Sequence, residues 1–138
     1  MRVLVDTNVF LDILYNREEL VENSKAFFNL ARMKRDQIYV AATTIKDLAY
    51  FIKKSLHDDA KTNDKLVSIF TKIGKIVGVS ADDAINALYE DGDYEDNVLA
   101  FVCESNMCDA IITNNKKDFI GKNVVAITPA EYLKIRWD

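Results

Sequence analysis

Glycine, proline and histidine are scarce in this chain of 138 residues, which has four Gly, one Pro and one His. So few chain-breaking residues leave no stretch that resembles a flexible linker, and the length suits one domain, which we expect to span residues 1–138. The single histidine, His57, lies in a stretch rich in Lys and Asp and is expected at the surface. A Ser–His–Asp triad and a histidine-rich zinc site are therefore excluded.

Cysteine is also rare, with Cys103 and Cys108 alone. Their spacing matches neither a Cys-x-x-Cys redox pair nor a four-ligand zinc set, and Cys103 lies in an apolar helical stretch where a small buried residue is expected. Unpatterned thiols are typical of a reducing cytoplasm. A strand begins directly after Met1, so we expect no signal peptide, and no apolar run approaches a membrane span. These features predict a cytoplasmic protein.

Positive charge does not dominate the composition, because 18 Lys and Arg stand against 22 Asp and Glu for a net charge of −4. This charge balance does not indicate nucleic-acid binding, which normally favours a basic surface, although it does not exclude such binding. A cluster of acids that binds divalent cations would itself lower the net charge. The distribution of the acids therefore carries more information than their number.

Short apolar segments alternate with helical patterns along the whole chain. The apolar segments predict strands at residues 2–6, 38–42, 76–79, 110–113 and 124–127. Helical spacing predicts helices at residues 8–16, 18–34, 43–56, 59–73, 81–91 and 94–105, and Pro129 opens a last helix at its first turn. This alternation favours the α/β class, as a three-layer α/β/α sandwich around a central parallel sheet of four to five strands.

Polar side chains follow three of the predicted strands. Asp6 ends the first, Thr43 and Thr44 follow the second, and the run Thr113 to Asn115 follows the fourth. Ligands of parallel α/β sheets bind beyond the carboxyl ends of the strands. We therefore expect these polar groups to gather at one edge of the sheet.

Four acids are candidates for a shared site there: Asp6, Asp47, Asp96 and Asp118. Each has a simpler interpretation as a helix cap or turn residue; for example, Asp47 follows Thr44, and Asp96 follows Asp93, at capping-box spacing. Several carboxylates held together without cations would repel one another and raise their pKa values. Mg²⁺ or Mn²⁺, which prefers oxygen ligands, would remove that conflict and could activate water for hydrolysis of a phosphate ester.

Three motifs occur in order along nearly the whole chain: VLVDTNVFLDIL at residues 3–14, TTIKDL at 43–48, and DYEDNVLAFVCESNMCDAIITNNKKDF at 93–119. Together they resemble the PIN-domain ribonuclease family, most of all the small prokaryotic toxins of toxin–antitoxin modules. The resemblance implies a PIN-like fold and hydrolysis of RNA phosphodiester bonds with Mg²⁺ or Mn²⁺. It also implies an RNA substrate, an antitoxin protein as a partner, and a homodimer.

Carried over by position, the resemblance makes Asp6 the first acid and Asp96 the third, both binding the metal directly. Asp47 stands where the family commonly has Glu and is one methylene shorter. The fourth acidic position is open between Asn115 and Asp118. Asp47 and Asp118 would bind the metal through water or orient the attacking water. Support of the pocket or of the substrate phosphate falls to Asn8, Thr44, Asp93, Thr113 and Asn115.

Other residues near these motifs have simpler interpretations. Lys46, Lys116 and Lys117 could meet the RNA backbone, but solvated surface lysines are the more ordinary reading. Asp12 lies six residues beyond Asp6, more than one and a half helical turns, so it points to a different face and is expected to be structural or to partner a neighbouring polar group.

Two alternatives to a ribonuclease stay open. Asp after a first strand also suits phosphoryl-transfer folds, but a haloacid-type phosphatase needs Asp-x-Asp, and the third residue here is Asn8. A receiver domain needs paired acids near its first strand and a Lys after its last strand. Neither is evident, because Thr128 and Pro129 follow the fifth strand. A PIN fold with weakened acids could instead serve as an RNA-binding or protein-interaction module. The short Asp47 and the amide at Asn115 keep that alternative open.

Overall fold

The structure, a computed structural model, describes residues 1–56 and 59–135. Its strands are β1 (Arg2–Val5), β2 (Gln37–Ala41), β3 (Lys75–Val77), β4 (Ala110–Ile112) and β5 (Ala126–Ile127). Its helices are α1 (Thr7–Leu14), α2 (Val21–Lys34), α3 (Ala42–Ser55), α4 (Ala60–Ile73), α5 (Ala81–Tyr89), α6 (Tyr94–Ser105) and α7 (Pro129–Leu133), with a 3-10 helix at Lys116–Phe119. The surface interpretation of His57 lies outside the described residues.

The five strands form one sheet in the order β3-β2-β1-β4-β5, and every pair is parallel. Consecutive strand residues face opposite sides of a sheet, so alternate residues enter two separate cores. Val3 and Val5 pack beneath α1, α2, α3, α4 and α7, whereas Leu4 packs on the side of α5 and α6. The expected three-layer α/β/α fold is confirmed, with β1 at its centre.

Several element ends differ from their predicted positions for identifiable reasons. Helix α2 begins at Val21 rather than at residue 18 because Glu19, with a φ of 70°, is in the left-handed region. Strand β1 ends at Val5, because the Asp6 side chain already caps α1. Strand β5 is limited to Ala126–Ile127, because it is an edge strand that pairs with β4 alone. The remaining strand and helix ends shift by a few residues at most.

Two further expectations are confirmed. Pro129 opens α7 at its first turn, and Thr128 and Glu131 form a capping box around it. Cys103 is buried at 1% exposure, and neither cysteine forms a disulfide. Across residues 1–56 and 59–135, no helix is long and apolar enough to cross a bilayer.

Gly74 joins α4 to β3 where the chain passes close to β2. A Cβ atom added there would overlap the carbonyl oxygen of Ile38 and lie 3.0 Å from its Cβ, whereas a Cβ on Gly78 would meet nothing within 4 Å. We predict that Gly74→Ala lowers the free energy of unfolding by about 1–3 kcal/mol through overpacking. Gly78→Ala, the matched control, should be neutral or stabilising by up to about 1 kcal/mol in the same urea titration. Equal effects of the two changes would contradict this packing.

Candidate active site

Polar side chains from neighbouring strands meet at the carboxyl edge of the sheet, as expected. Asp6 follows β1 and is 8% exposed, Thr113 follows β4 and is fully buried, and Thr44 lies in the first turn of α3 after β2. Because β1 lies between β2 and β4, the three residues adjoin. An open cavity outside this edge is lined by four aspartates from four segments, Asp6, Asp47, Asp96 and Asp118, and also by Glu95, which the motifs did not single out.

Asp6 is fixed by three donors. Its Oδ1 accepts the backbone N–H of Thr7 at 2.7 Å, and its Oδ2 accepts the Asn8 amide at 3.0 Å and the Thr113 hydroxyl at 2.9 Å. Burial nevertheless raises the pKa of the Asp6 carboxyl above its usual value, and the Asp118 carboxylate adds to that rise. Asp6 is thus the N-cap of α1, as its simpler interpretation predicts, and it also lies in the cavity wall.

The Thr113 hydroxyl is fully committed to holding this arrangement. It donates to Asp6 and accepts from the Asn8 amide at 3.1 Å and from the backbone N–H of Asn115 at 3.0 Å. One hydrogen and two lone pairs are the whole capacity of a hydroxyl. Thr113 and Asn8 therefore orient Asp6, while the Thr44 hydroxyl is bonded to Thr7 at 3.3 Å.

Asp96 brings a second carboxylate into the cavity from the first turn of α6. Burial, followed by the charges of Asp93, Asp118 and Asp6, raises its pKa to about 6. Asp6, Asp96 and Asp118 therefore lie close enough for their negative charges to interact. Asp93 caps α6 by accepting the backbone N–H of Asp96 at 3.1 Å and does not line the cavity.

Asp47 reaches the same cavity from the second turn of α3, where it is half-buried. The capping-box interpretation of Thr44 and Asp47 is wrong. Helix α3 begins one turn earlier than that interpretation requires, with Ala41 as its N-cap and no side-chain cap bond. Asp47 is thus available for the cavity.

The two candidates for the fourth acidic position lie close together on the loop after β4. Asn115 is exposed and lines the cavity, and its backbone N–H holds Thr113. Asp118, in the 3-10 helix, is half-buried, lines the cavity and raises the pKa values of Asp6 and Asp96. Of these two residues, only Asp118 carries a charge that acts on Asp6 and Asp96.

Basic residues differ in how they relate to the cavity. Lys46 and Lys53 line it, whereas Lys116 pairs with Glu131 at 2.9 Å, and Lys117 is exposed without lining it. Lys122, which the sequence analysis missed, lies near Asp96 and lowers its pKa, opposing the acids. Its ammonium donates to the buried Asn97 at 2.6 Å. Because it lies far along the chain from Asp96, no local pattern could have revealed it.

The donor set suits a hard divalent cation. Carboxylate, amide and hydroxyl oxygens are the ligands that Mg²⁺ and Mn²⁺ prefer, and the mutual repulsion of Asp6, Asp96 and Asp118 is the conflict that a cation relieves. Within the described ranges, no three acidic, His or Cys side chains are close enough to form a compact metal cluster. Mg²⁺ commonly keeps several waters and uses one or two carboxylates, so the residues present fit such an ion.

Comparison with known proteins agrees with this architecture. A family model described as PIN domain matches residues 2–117, and this confirms the resemblance drawn from the three motifs. No curated protein sequence matches the chain significantly.

Three solved structures illustrate the likeness of fold. A VapBC complex of Rickettsia felis bound to promoter DNA is 16% identical, with a TM-score of 0.68 over 93% of this chain and 98% of that chain. A toxin–antitoxin complex from Klebsiella pneumoniae is 22% identical, with a TM-score of 0.66 over 92% and 97%. A VapC protein of Mycobacterium tuberculosis, described as a toxin that cleaves the sarcin–ricin loop, is 11% identical, with a TM-score of 0.58 over 79% and 86%.

The raised pKa of Asp96 predicts a stability effect without metal. A carboxyl whose pKa is about 6 when folded, against a usual value of 3.8, adds stability at low pH that is lost as the pH rises through 6. We predict that Asp96→Asn raises the free energy of unfolding by about 1–2 kcal/mol near pH 7 in EDTA, and by little near pH 4. The control is Asp64→Asn, at an exposed acid of α4. A gain that is the same at both pH values would contradict the prediction.

Proposed function

The chain belongs to the PIN domain family, and from this premise we propose that it is a ribonuclease that needs Mg²⁺ or Mn²⁺. The observation that carries the proposal is the convergence of four aspartates from four separate segments on one cavity, three of them electrostatically coupled. Helix capping alone does not require acids from four segments to line the same cavity. Hydrolysis of phosphodiester bonds with a cation does require several carboxylates in one place.

Asp6 and Asp96 would hold the cation directly. Asp6 is buried and held by hydrogen bonds, so its orientation is set before the ion arrives, while Asp96 faces the same cavity from α6. When bound, the cation supplies Lewis acidity: it acidifies water and stabilises the negative charge that builds on the phosphate.

The remaining acids act on water. Asp118 and Asp47 enter the cavity from the 3-10 helix and from α3, where each would bind the cation through water or orient the attacking water. One of the two would accept the proton of that water as its oxygen bonds to phosphorus, while the bond from phosphorus to the leaving oxygen breaks and that oxygen takes a proton from solvent. Asp118 takes the fourth acidic position, because it carries the charge that Asn115 lacks. Asn115, exposed at the cavity rim, would donate to a substrate phosphate, and Lys46 would contact the RNA backbone.

We further propose that the protein is the toxin of a toxin–antitoxin module, acting in the cytoplasm as a homodimer. Fold similarity to a toxin–antitoxin complex and to a toxin that cleaves the sarcin–ricin loop supports an antitoxin partner and an RNA substrate. The alternative is an inactive PIN-fold binding module. The absence of a compact acidic cluster among the described residues favours that alternative.

The cation site predicts a loss of both binding and cleavage in two variants. We expect Asp6→Asn and Asp96→Asn to weaken Mn²⁺ binding at least about tenfold in calorimetric titrations and to lower RNA cleavage at least about a hundredfold, because each removes a charged ligand. Asp64→Asn should match the wild type in both assays. Mn²⁺ binding without cleavage by the wild type on several RNAs would favour the inactive module, and no binding would exclude the cation site.

The fourth position predicts unequal effects of two neighbouring changes. Asp118→Asn should lower RNA cleavage about a hundredfold or more, because it removes the charge that couples to Asp6 and Asp96. Asn115→Ala should lower cleavage less than about tenfold, because it removes a neutral contact at the rim. Cleavage rates under saturating Mn²⁺ decide between them. A larger loss in Asn115→Ala would assign the fourth position to Asn115 instead.

A further inference from the structure

Asp12 is a fully buried acid that the proposed reaction does not use. It lies on α1 at 0% exposure and accepts hydrogen bonds from three directions: the Ser24 hydroxyl of α2 at 3.2 Å, the Arg17 guanidinium at 3.4 Å, and the Asn114 side-chain amide. A buried carboxylate is costly unless it is paired and hydrogen-bonded. An apolar residue would fill this position between α1 and α2 without that cost, so the acid needs a specific explanation.

Asn114 connects Asp12 to the candidate active site. It lies on the loop directly after β4, between Thr113 and Asn115. Its side-chain amide donates to Asp12 Oδ2, and its backbone N–H donates to Asn8 Oδ1 at 3.1 Å. Anchoring the side chain therefore fixes the direction in which the backbone N–H points.

The Asn114 N–H decides which way the Asn8 amide faces. A backbone N–H can only donate, so it requires the Oδ1 end of Asn8. The Nδ2 end then points the other way, where it donates to Asp6 Oδ2 at 3.0 Å and to the Thr113 hydroxyl at 3.1 Å. If the Asn8 amide were flipped, its Oδ1 would face the Asp6 carboxylate. Both atoms are acceptors, so no hydrogen bond could form between them.

We propose that Asp12 is a positioning residue for Asp6 and acts through Asn114 and Asn8. The inference rests on the proposed function, because the orientation of Asp6 matters most if Asp6 holds a cation. It also explains how an acid on a different face of α1 from Asp6 serves the same site. The connection runs across the sheet, through the loop after β4, rather than along the helix.

The test compares variants that remove different hydrogen-bond partners of the Asp12 carboxylate. Asn114→Ala and Asp12→Asn disturb the connection to Asn8. Ser24→Ala removes the other donor to the same oxygen, Asp12 Oδ2, and leaves the Asn114 donor in place. Two quantities are measured: the hydrogen-exchange rate of the Asn8 side-chain amide by NMR in metal-free protein, and the dissociation constant for Mn²⁺ by calorimetry. Free energies of unfolding by urea accompany both.

We expect Asn114→Ala to speed exchange of the Asn8 amide. The same change should weaken Mn²⁺ binding by about tenfold, as loss of an outer hydrogen-bond partner does at metal sites. Asp12→Asn should act in the same direction, and adding it to Asn114→Ala should have little further effect. Ser24→Ala should change both by less than about twofold, whatever stability it loses.

Unchanged exchange of the Asn8 amide in Asn114→Ala would overturn the proposal. An equal acceleration in Ser24→Ala would also overturn it, because general loosening of the core would then be the cause. Should Asp12→Asn fail to fold, Asn114→Ala alone decides. Should the wild type bind no Mn²⁺, the proposed cation site fails, while amide exchange in metal-free protein still decides whether Asp12 orients Asn8.

Discussion

The repulsion among the carboxylates of Asp6, Asp96 and Asp118 is the interaction on which the proposed cation site depends. Burial raises the pKa values of the Asp6 and Asp96 carboxyl groups, and the negative charge of Asp118 adds to both rises. Such an arrangement disfavours folding, so it persists only where the rest of the molecule enforces it. Active sites commonly hold strain of this kind, and it is relieved when a ligand of opposite charge binds.

The sheet enforces this arrangement. Strand β1 is the central strand, and its neighbours β2 and β4 deliver Thr44 and Thr113 to the same edge as Asp6. Two separate cores cover the faces of the sheet and fix the strands that carry these residues. Helix α6 adds Asp96 at its N-terminus, where the helix dipole favours a negative charge. Strand β1 and helices α3 and α6 therefore position Asp6, Asp47 and Asp96, whereas the segment after β4 contributes Asn115 and Asp118.

Much of the fold and part of the site could be predicted from the sequence. Alternating apolar and helical segments gave the parallel α/β class, and polar residues at strand ends indicated the edge at which Asp6 and Thr113 meet. Local spacing misled where competing interactions decide the structure: Thr44 and Asp47 match a capping box, yet α3 begins at Ala42 without a side-chain cap. Lys122 comes near Asp96 only through tertiary contact, so no sequence pattern could predict that its charge lowers the pKa of Asp96.

The proposed role of Asp12 also could not be predicted from the sequence, because it depends on tertiary contacts. Helical geometry correctly separates it from Asp6, but the path through Asn114 and Asn8 exists only once β4 lies beside β1. A buried polar network of this kind is satisfied throughout: in the described part of the chain, no buried side-chain nitrogen or oxygen lacks a partner. Specific orientation of one carboxylate is a physical reason for such a network.

Anomalous diffraction from crystals soaked in Mn²⁺ tests the central claim most directly, because it locates the ion without any assumption about the RNA. We expect a manganese peak in the cavity, bonded to carboxylate oxygens of Asp6 and Asp96 at about 2.1 Å, as is typical of small hard divalent ions. An empty cavity at saturating Mn²⁺, or a peak held elsewhere on the surface alone, would contradict it.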